Sequence, residues 1–252
     1  MSKRMSVPAG VPCWVETYQP DPAAAAGFYA ALMGWTIDGG PGVARLGGGD
    51  GDGRAVAGIG PAPPGMDRAV WSMHVRVASV AEALARVIEA GGAVVAAPAG
   101  ADVAVVSDPA GVAFCVQGAG PVVEARDEPG AWAMSALHTT ASPEEAAAFY
   151  GAVLGWELAA LPGTPLHTWW LPGAAVAGPP LPPETVALLA PPAPDVPPHW
   201  AISFHVADVD ATCARATDLG GAVLVPPTTA DGLRSAVVAD PQGGVIALVG
   251  RP

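Results

Sequence analysis

Apolar residues recur along the chain in an extended pattern and in a helical one. A short apolar stretch, Cys13–Tyr18, comes first. Apolar residues three and four apart then predict a helix that begins at Asp21 or Pro22. Three short strands separated by glycine-rich turns are predicted next, at Thr36–Ile37, Val43–Leu46 and Arg54–Ile59. The first quarter of the chain therefore has the pattern β-α-β-β-β.

The same order of elements recurs in the other three quarters. The second quarter has a strand at Trp71–Val77 and a helix at Val80–Ala90. Gly91 follows this helix and suits the left-handed conformation in which many helices end. The quarter closes with predicted strands at Ala93–Ala97, Val103–Ser107 and Val112–Gln117. Residues 131–190 and 198–250 repeat the plan, with a Pro-rich loop at 172–198.

Sequence landmarks show that the chain is an internal duplication. FYAALMGW ends at Trp35 and FYGAVLGW ends at Trp156, 121 residues later. Further landmarks recur in the same order: Trp71 and Trp200, Gly91-Gly92 and Gly220-Gly221, Asp108-Pro109 and Asp240-Pro241. The pattern predicts two domains, at 1–122 and 128–252, in an α+β fold. In each domain, paired βαβββ modules form a curved sheet around a cavity.

Composition narrows the function classes. The chain has 252 residues, and 11 Lys and Arg against 23 Asp and Glu give a net charge of −12. Nucleic acid is therefore not expected as a partner, because phosphate binding requires clustered cations. The three cysteines form no CxxC pair, which favours a reducing compartment. The sequence has neither an apolar run long enough to span a membrane nor a secretory signal, so we expect a cytoplasmic protein.

The ordered motifs FY…GW and DPxG, each present twice, resemble the vicinal oxygen chelate superfamily, which includes glyoxalase I, bleomycin-resistance proteins and extradiol dioxygenases. The resemblance implies metal ligands, usually His and Glu, on the first and last strands of each module. Those positions hold other residues here: Trp14, Ser72 and Cys115 in the first half, and Ser135, Ala201 and Ala247 in the second. The usual ligand set is therefore absent and no metal ligand is predicted. The cofactor stays unknown, with a divalent metal on unconventional ligands as an open alternative.

Strand alternation then indicates which polar residues share the cavity face of the first half. Trp14, Glu16 and Tyr18 share one face of their strand, as do Ser72, His74 and Arg76 of theirs. We predict that Glu16 and His74 face each other as a catalytic acid–base pair. The alternatives are a metal site that includes the Cys115 thiolate and a buried structural pair. The predicted substrate-binding residues are Trp14, Tyr18, Ser72, Arg76, Cys115, Gln117, His138, Trp170, Ser203 and His205.

The second half offers fewer polar candidates. His138 aligns with Glu16 only if one residue is missing from the following loop, and Ser203 replaces His74. His138 with His205 is therefore the second-choice pair. His167 and His199 are interpreted as surface residues. One of Trp169 and Trp170 should enter a cavity, because adjacent strand residues point to opposite faces.

We therefore expect a glyoxalase-like enzyme of isomerase, lyase or cyclase type that acts on an organic metabolite by acid–base chemistry. One alternative is a drug- or antibiotic-binding protein without turnover. Another is a metal-dependent enzyme, like a dioxygenase or hydroxylase, with unconventional ligands. The expected partner is a small molecule rather than nucleic acid or a membrane, and the expected assembly is a monomeric pseudo-dimer or a homodimer.

Overall fold

The computed structural model describes residues 7–37, 42–47, 53–174, 181–182, 184–192, 196–230 and 232–252. The described residues form sixteen strands and four helices, and the order β-α-β-β-β occurs four times. This confirms the α+β class and the four predicted modules.

Each module has one helix after its first strand and three strands after the helix. The first module has β1 (Pro12–Gln19), α1 (Pro22–Met33), β2 (Thr36–Ile37), β3 (Gly42–Leu46) and β4 (Arg54–Pro61). The second has β5 (Val70–Arg76), α2 (Val80–Glu89), β6 (Ala93–Ala96), β7 (Val103–Ser107) and β8 (Ala113–Gln117). The third has β9 (Trp132–His138), α3 (Pro143–Leu154), β10 (Glu157–Ala160), β11 (His167–Trp170) and β12 (Thr185–Ala190). The fourth has β13 (His199–His205), α4 (Val209–Asp218), β14 (Ala222–Ala230), β15 (Leu233–Ala239) and β16 (Val245–Gly250).

Local capping explains where the helices begin and end. The Asp21 carboxylate accepts hydrogen bonds from the first backbone N–H groups of α1, which would otherwise have no partner. Ser142 and Glu145 form a reciprocal capping box at the start of α3. Gly34 ends α1 in the left-handed conformation, with φ +70°, which costs glycine little because it lacks a Cβ atom.

Within every module the first strand pairs with the last one in parallel orientation. The pairs are β1 with β4, β5 with β8, β9 with β12, and β13 with β16. The remaining strands extend this pair by antiparallel hairpins. Side chains of paired residues therefore lie side by side on one face, and these strand pairs carry the candidate site residues.

The chain divides into two compact units, and neither is a continuous half of the sequence. One unit consists of residues 14–72, 123–133 and 201–252, which hold most of the first module and of the fourth. The other consists of residues 1–13, 73–122 and 134–200, which hold most of the second module and the third. The predicted boundaries at 1–122 and 128–252 describe the sequence duplication and stay a prediction.

The repeated sequence motifs form a buried hydrogen-bond network in the unit of the first and fourth modules. The Tyr29 hydroxyl donates to Asp240 Oδ2 at 2.8 Å, and Trp71 Nε1 donates to the Tyr29 oxygen at 2.9 Å. Gln19 Nε2 also donates to Asp240 Oδ2, at 2.7 Å. These bonds satisfy a buried carboxylate, which would be costly without partners. The motif residues thus join two modules that lie far apart in sequence.

The second unit repeats this network with the other copy of each motif. The Tyr150 hydroxyl donates to Asp108 Oδ2 at 3.0 Å, and Trp200 Nε1 donates to the Tyr150 oxygen at 3.2 Å. Burial raises the pKa of Asp108, while backbone hydrogen bonds and the Tyr150 hydroxyl oppose that shift. The motifs that reveal the duplication are therefore structural in both copies.

We expect Tyr29→Phe to lower the free energy of unfolding by about 1–3 kcal/mol, because Asp240 loses a buried donor. Tyr150→Phe should have a similar effect through Asp108, so this variant tests the second copy of the network. Urea denaturation of the two variants and the wild type measures both losses. Unchanged stability in both variants would contradict a structural role for the network.

The aromatic residues of the two FY…GW motifs belong to the core. All six are buried: Phe28, Tyr29, Trp35, Phe149, Tyr150 and Trp156. The Trp71 and Trp200 indole nitrogens donate to the motif tyrosines. The Pro-rich stretch 172–198 was predicted as a loop, but it contains β12. The apolar run TVALLA explains this strand, since it offers six consecutive residues without proline or glycine.

Candidate functional site

Glu16 lies on β1 between two aromatic side chains of the same face. Trp14 is buried, whereas Glu16 and Tyr18 are half-buried. The Tyr18 hydroxyl donates a hydrogen bond of 3.4 Å to Glu16 Oε2. The shared face predicted for these three residues agrees with this bond and with the strand's alternation.

The neighbouring strand β4 presents glycines beside these side chains. Glu16 pairs in register with Gly58, and Tyr18 pairs with Gly60. Burial raises the pKa of the Glu16 carboxyl, and the hydrogen bond from Tyr18 opposes this rise. A carboxyl with a raised pKa keeps its proton closer to neutral pH, which suits a proton donor or acceptor.

His74 lies on β5 and is buried, with 4% of its surface exposed. Its Nδ1 lies 2.9 Å from Gln117 Oε1. Gln117 Nε2 donates to Pro121 O at 2.9 Å, which fixes the orientation of the amide. Since an amide oxygen can only accept, Nδ1 carries the proton and Nε2 is the unprotonated nitrogen. Burial lowers the pKa of His74 to about 4, so the ring is neutral at pH 7.

The other predicted residues of β5 and β8 are largely held by backbone contacts. Cys115 is buried opposite His74, and Gln117 lies opposite Arg76. The Arg76 guanidinium donates to the carbonyl oxygens of Gly118 and Gly120, which restrains its position.

The corresponding strand pairs of the second half are more apolar. Ala136 pairs with Leu188, and His138 pairs with Ala190. On β13 and β16, Ser203 pairs with Ala247 and His205 pairs with Val249. Burial lowers the pKa of His205, and the Asp127 charge opposes that shift. Polar partners on both strands of a pair therefore occur at His74–Cys115 and Arg76–Gln117 but not at these positions of the second half.

His138 and His199 form a contact that the sequence did not predict. Their rings are parallel within 6°, with centroids 5.0 Å apart. His138 Nδ1 lies 3.1 Å from Pro191 O, and His199 Nδ1 lies 2.9 Å from Pro197 O. Both Nδ1 atoms are therefore donors, because a carbonyl oxygen only accepts. His199 was interpreted as a surface residue, but it begins β13 and is half-buried; no local pattern signals this contact.

We expect His199→Ala to raise the pKa of His138 towards its ordinary value. Burial lowers that pKa most, and the charge of His199 lowers it further, so removal of the second ring relieves both effects. NMR titration of the His138 ring protons measures the change. His167→Ala on β11 is the control and should leave the titration unchanged; an unaltered His138 pKa in His199→Ala would refute the coupling.

Trp169 and Trp170 differ in burial, and the register between β11 and β12 shifts between these two residues. Trp169 is fully buried against Tyr150 and Trp156, with ring centroids 5.3 and 5.9 Å away. Trp170 is half-buried. Of this pair, Trp170 therefore stays the candidate for ligand contact.

The donor atoms do not match a metal site of the type that the superfamily resemblance implies. Among the described residues, no three or more His, Cys, Asp or Glu side chains come together as a group able to hold a metal ion. The positions that usually supply ligands hold residues such as Trp14 and Ala247, which offer no metal-binding atom.

Comparison with known proteins agrees with this fold. The sequence model of a family described as "Glyoxalase-like domain" matches residues 14–117 and 135–249. A Mycobacterium tuberculosis protein named as a glyoxylase, CFP32, is 32% identical over 267 residues, covering 99% of this chain and 98% of that protein. The anthracycline biosynthesis protein DnrV of Streptomyces peucetius is 33% identical over 264 residues, covering 95% of this chain and 93% of that protein.

Solved structures show the same architecture at lower identity. The Mn(II)-bound glyoxalase from Novosphingobium aromaticivorans has a TM-score of 0.61 at 20% identity, covering 96% of this chain and 82% of that chain. The 2,2',3-trihydroxybiphenyl 1,2-dioxygenase of Sphingomonas wittichii has a TM-score of 0.57 at 16% identity, covering 96% of this chain and 91% of that chain. None of the four described helices has the length and hydropathy needed to cross a membrane. From the two family matches and the relatives above 30% identity, this chain belongs to the glyoxalase-like family of the vicinal oxygen chelate superfamily.

Proposed function

We propose that the protein is a small-molecule enzyme of isomerase, lyase or cyclase type, with Glu16 as its acid–base group. The observation that carries the proposal is the Glu16 carboxyl, which has a raised pKa and a hydrogen bond from Tyr18. Such a carboxyl moves a proton between two positions of a substrate, as keto–enol isomerisation or ring closure requires.

We propose His74 as the second catalytic residue. Its ring is neutral near pH 7 and its Nδ1 is held by Gln117. A ring oriented in this way offers Nε2 as a hydrogen-bond acceptor. With a pKa of about 4, His74 does not carry the proton near neutral pH. Glu16 and His74 belong to different compact units, so their action as one acid–base pair stays a prediction.

The proposed substrate class is flat aromatic compounds with hydroxyl and carbonyl groups. Trp14 and Tyr18 flank the Glu16 carboxyl, and aromatic side chains favour flat ligands. Two relatives from Streptomyces are named as anthracycline biosynthesis proteins, and anthracyclines are flat, polycyclic and hydroxylated. These names support a substrate of that chemistry.

A binding protein without turnover is the second candidate. The face that carries Trp14, Glu16 and Tyr18 combines aromatic rings with a carboxyl, which suits an aromatic cation. A net charge of −12 attracts cations further. A drug-sequestering role would need no proton transfer.

The test exposes the protein to a panel of hydroxylated anthraquinones and anthrones in D₂O, because the CH₂ group of an anthrone supplies the C–H bond that keto–enol isomerisation breaks. Exchange of substrate C–H for deuterium, followed by NMR, detects proton transfer even where substrate and product have equal mass. Exchange that disappears in Glu16→Gln supports the enzyme. Quenching of tryptophan fluorescence without exchange over several hours supports the binding protein instead. Neither binding nor exchange across the panel would refute the proposed substrate class.

A further inference from the structure

Gly58 and Gly60 of β4 lie directly beside Glu16 and Tyr18 in the parallel strand pair. Neither glycine has a positive φ, so the backbone conformation does not require glycine at these positions. Both are buried. Glycine inside a strand weakens it by backbone entropy, so another feature must explain this pair.

The space above Gly58 and Gly60, which carry no side chain, is filled by atoms of Glu16, Trp14 and Tyr18. A Cβ atom at Gly58 would lie 2.8 Å from Glu16 Cγ, 3.0 Å from Glu16 Cδ and 3.1 Å from Trp14 Nε1. A Cβ atom at Gly60 would lie 3.1 Å from Glu16 Oε1. The Glu16 side chain thus lies flat across β4, instead of extending away from the strands.

The matching strands of the third module show the contrast. There, His138 of β9, which the sequence alignment matches to Glu16, lies beside Ala190 of β12. A Cβ atom thus stands where β4 has Gly58, and the neighbouring side chain is an imidazole instead of a carboxyl. Gly58 therefore accompanies the carboxyl within this chain.

We propose that Gly58 and Gly60 are positioning residues that hold the Glu16 carboxyl against the backbone of β4. The inference rests on the proposed function only for its effect on turnover, since the placement of the carboxyl is a structural property. A Cβ atom at Gly58 lifts the carboxyl away from the strands and into solvent. The carboxyl then loses the burial that shifts its ionisation, as well as its alignment with Tyr18.

The first experiment titrates Glu16 by ¹³C NMR in the wild type, Gly58→Ala and Gly60→Ala. We expect the pKa of Glu16 to fall towards its ordinary value in Gly58→Ala, with a smaller fall in Gly60→Ala. Gly27→Ala on α1 is the control, because a Cβ atom there meets nothing within 4 Å. An unchanged Glu16 titration in folded Gly58→Ala would overturn the proposal.

The second experiment covers the outcome in which Gly58→Ala is poorly folded. A double-mutant cycle compares the stability of Glu16→Ala, Gly58→Ala and the double variant. If the glycine makes room for Glu16, the Gly58→Ala substitution costs less stability when Glu16 is already alanine. Additive losses would overturn the proposal.

The turnover assay separates this inference from the proposed function. We expect Gly58→Ala to lower kcat about 10²-fold with little change in KM, because small displacements of a catalytic group cost that much. A shifted Glu16 titration with turnover that does not depend on Glu16 would refute the acid–base role and leave the positioning role standing.

Discussion

Glu16→Gln should lower kcat/KM for the substrate by about 10²–10⁴-fold, the contribution typical of a positioned acid or base. The substitution keeps the shape of the side chain and its acceptor oxygen for Tyr18, but it removes the titrating proton. We expect the structure to persist, because the Gln side chain fits the same space over Gly58. Steady-state kinetics and circular dichroism of the same samples measure both properties.

Glu89→Gln is the matched control for this experiment. Glu89 is exposed at the end of α2, so its replacement changes the net charge equally without touching β1. Equal activity of Glu16→Gln and Glu89→Gln would rule out acid–base catalysis by Glu16. Loss of turnover in Glu16→Gln with unchanged ligand affinity would separate a chemical role from a binding role.

His74 should make the protein sensitive to acid. Its pKa is about 4 in the folded chain against an ordinary value of 6.5. Between these values the unfolded chain binds more protons, so the free energy of unfolding falls as pH falls from 6.5 to 4. The stabilising contribution is complete above pH 6.5 and amounts to about 3 kcal/mol by linkage.

His74→Asn tests this contribution, because the Asn amide keeps a donor near the position of Nδ1 but does not titrate. We expect the stability difference between wild type and variant to shrink or reverse between pH 7 and pH 4.5. Urea denaturation of both proteins at several pH values measures this stability difference. The contributions of the other titrating groups cancel, because both proteins contain them. A difference that stays constant with pH would show that His74 does not bind its proton as inferred.

The module order and most element bounds could be predicted because they depend on neighbouring residues. The start of α1 follows from the side chain of Asp21 and its end from Gly34, and both lie in the same stretch of sequence. Alternation likewise identified the shared face of Trp14, Glu16 and Tyr18. Strand β12 was missed because its apolar run lies between prolines, which usually indicate a loop.

The sequence indicated candidate residues for the site but not which side chains surround them. Register pairs Glu16 with Gly58, 42 positions along the chain from it, and no local pattern relates the two. The hydrogen bond between His74 and Gln117 and the contact between His138 and His199 arise in the same way, from strands that meet only in the folded chain.

The sequence by itself determined four βαβββ modules, their capped helices and the faces of their strands, since periodicity and capping act within a few residues. Only the tertiary structure decided how the modules associate and what the repeated motifs do. Tyr29 and Asp240 are separated by 211 positions, yet burial requires the carboxylate to find a donor wherever the fold supplies one. The FY, Trp and DP motifs are visible in the sequence as a duplication. Their role is to form the hydrogen bonds between distant modules that satisfy one buried carboxylate in each unit.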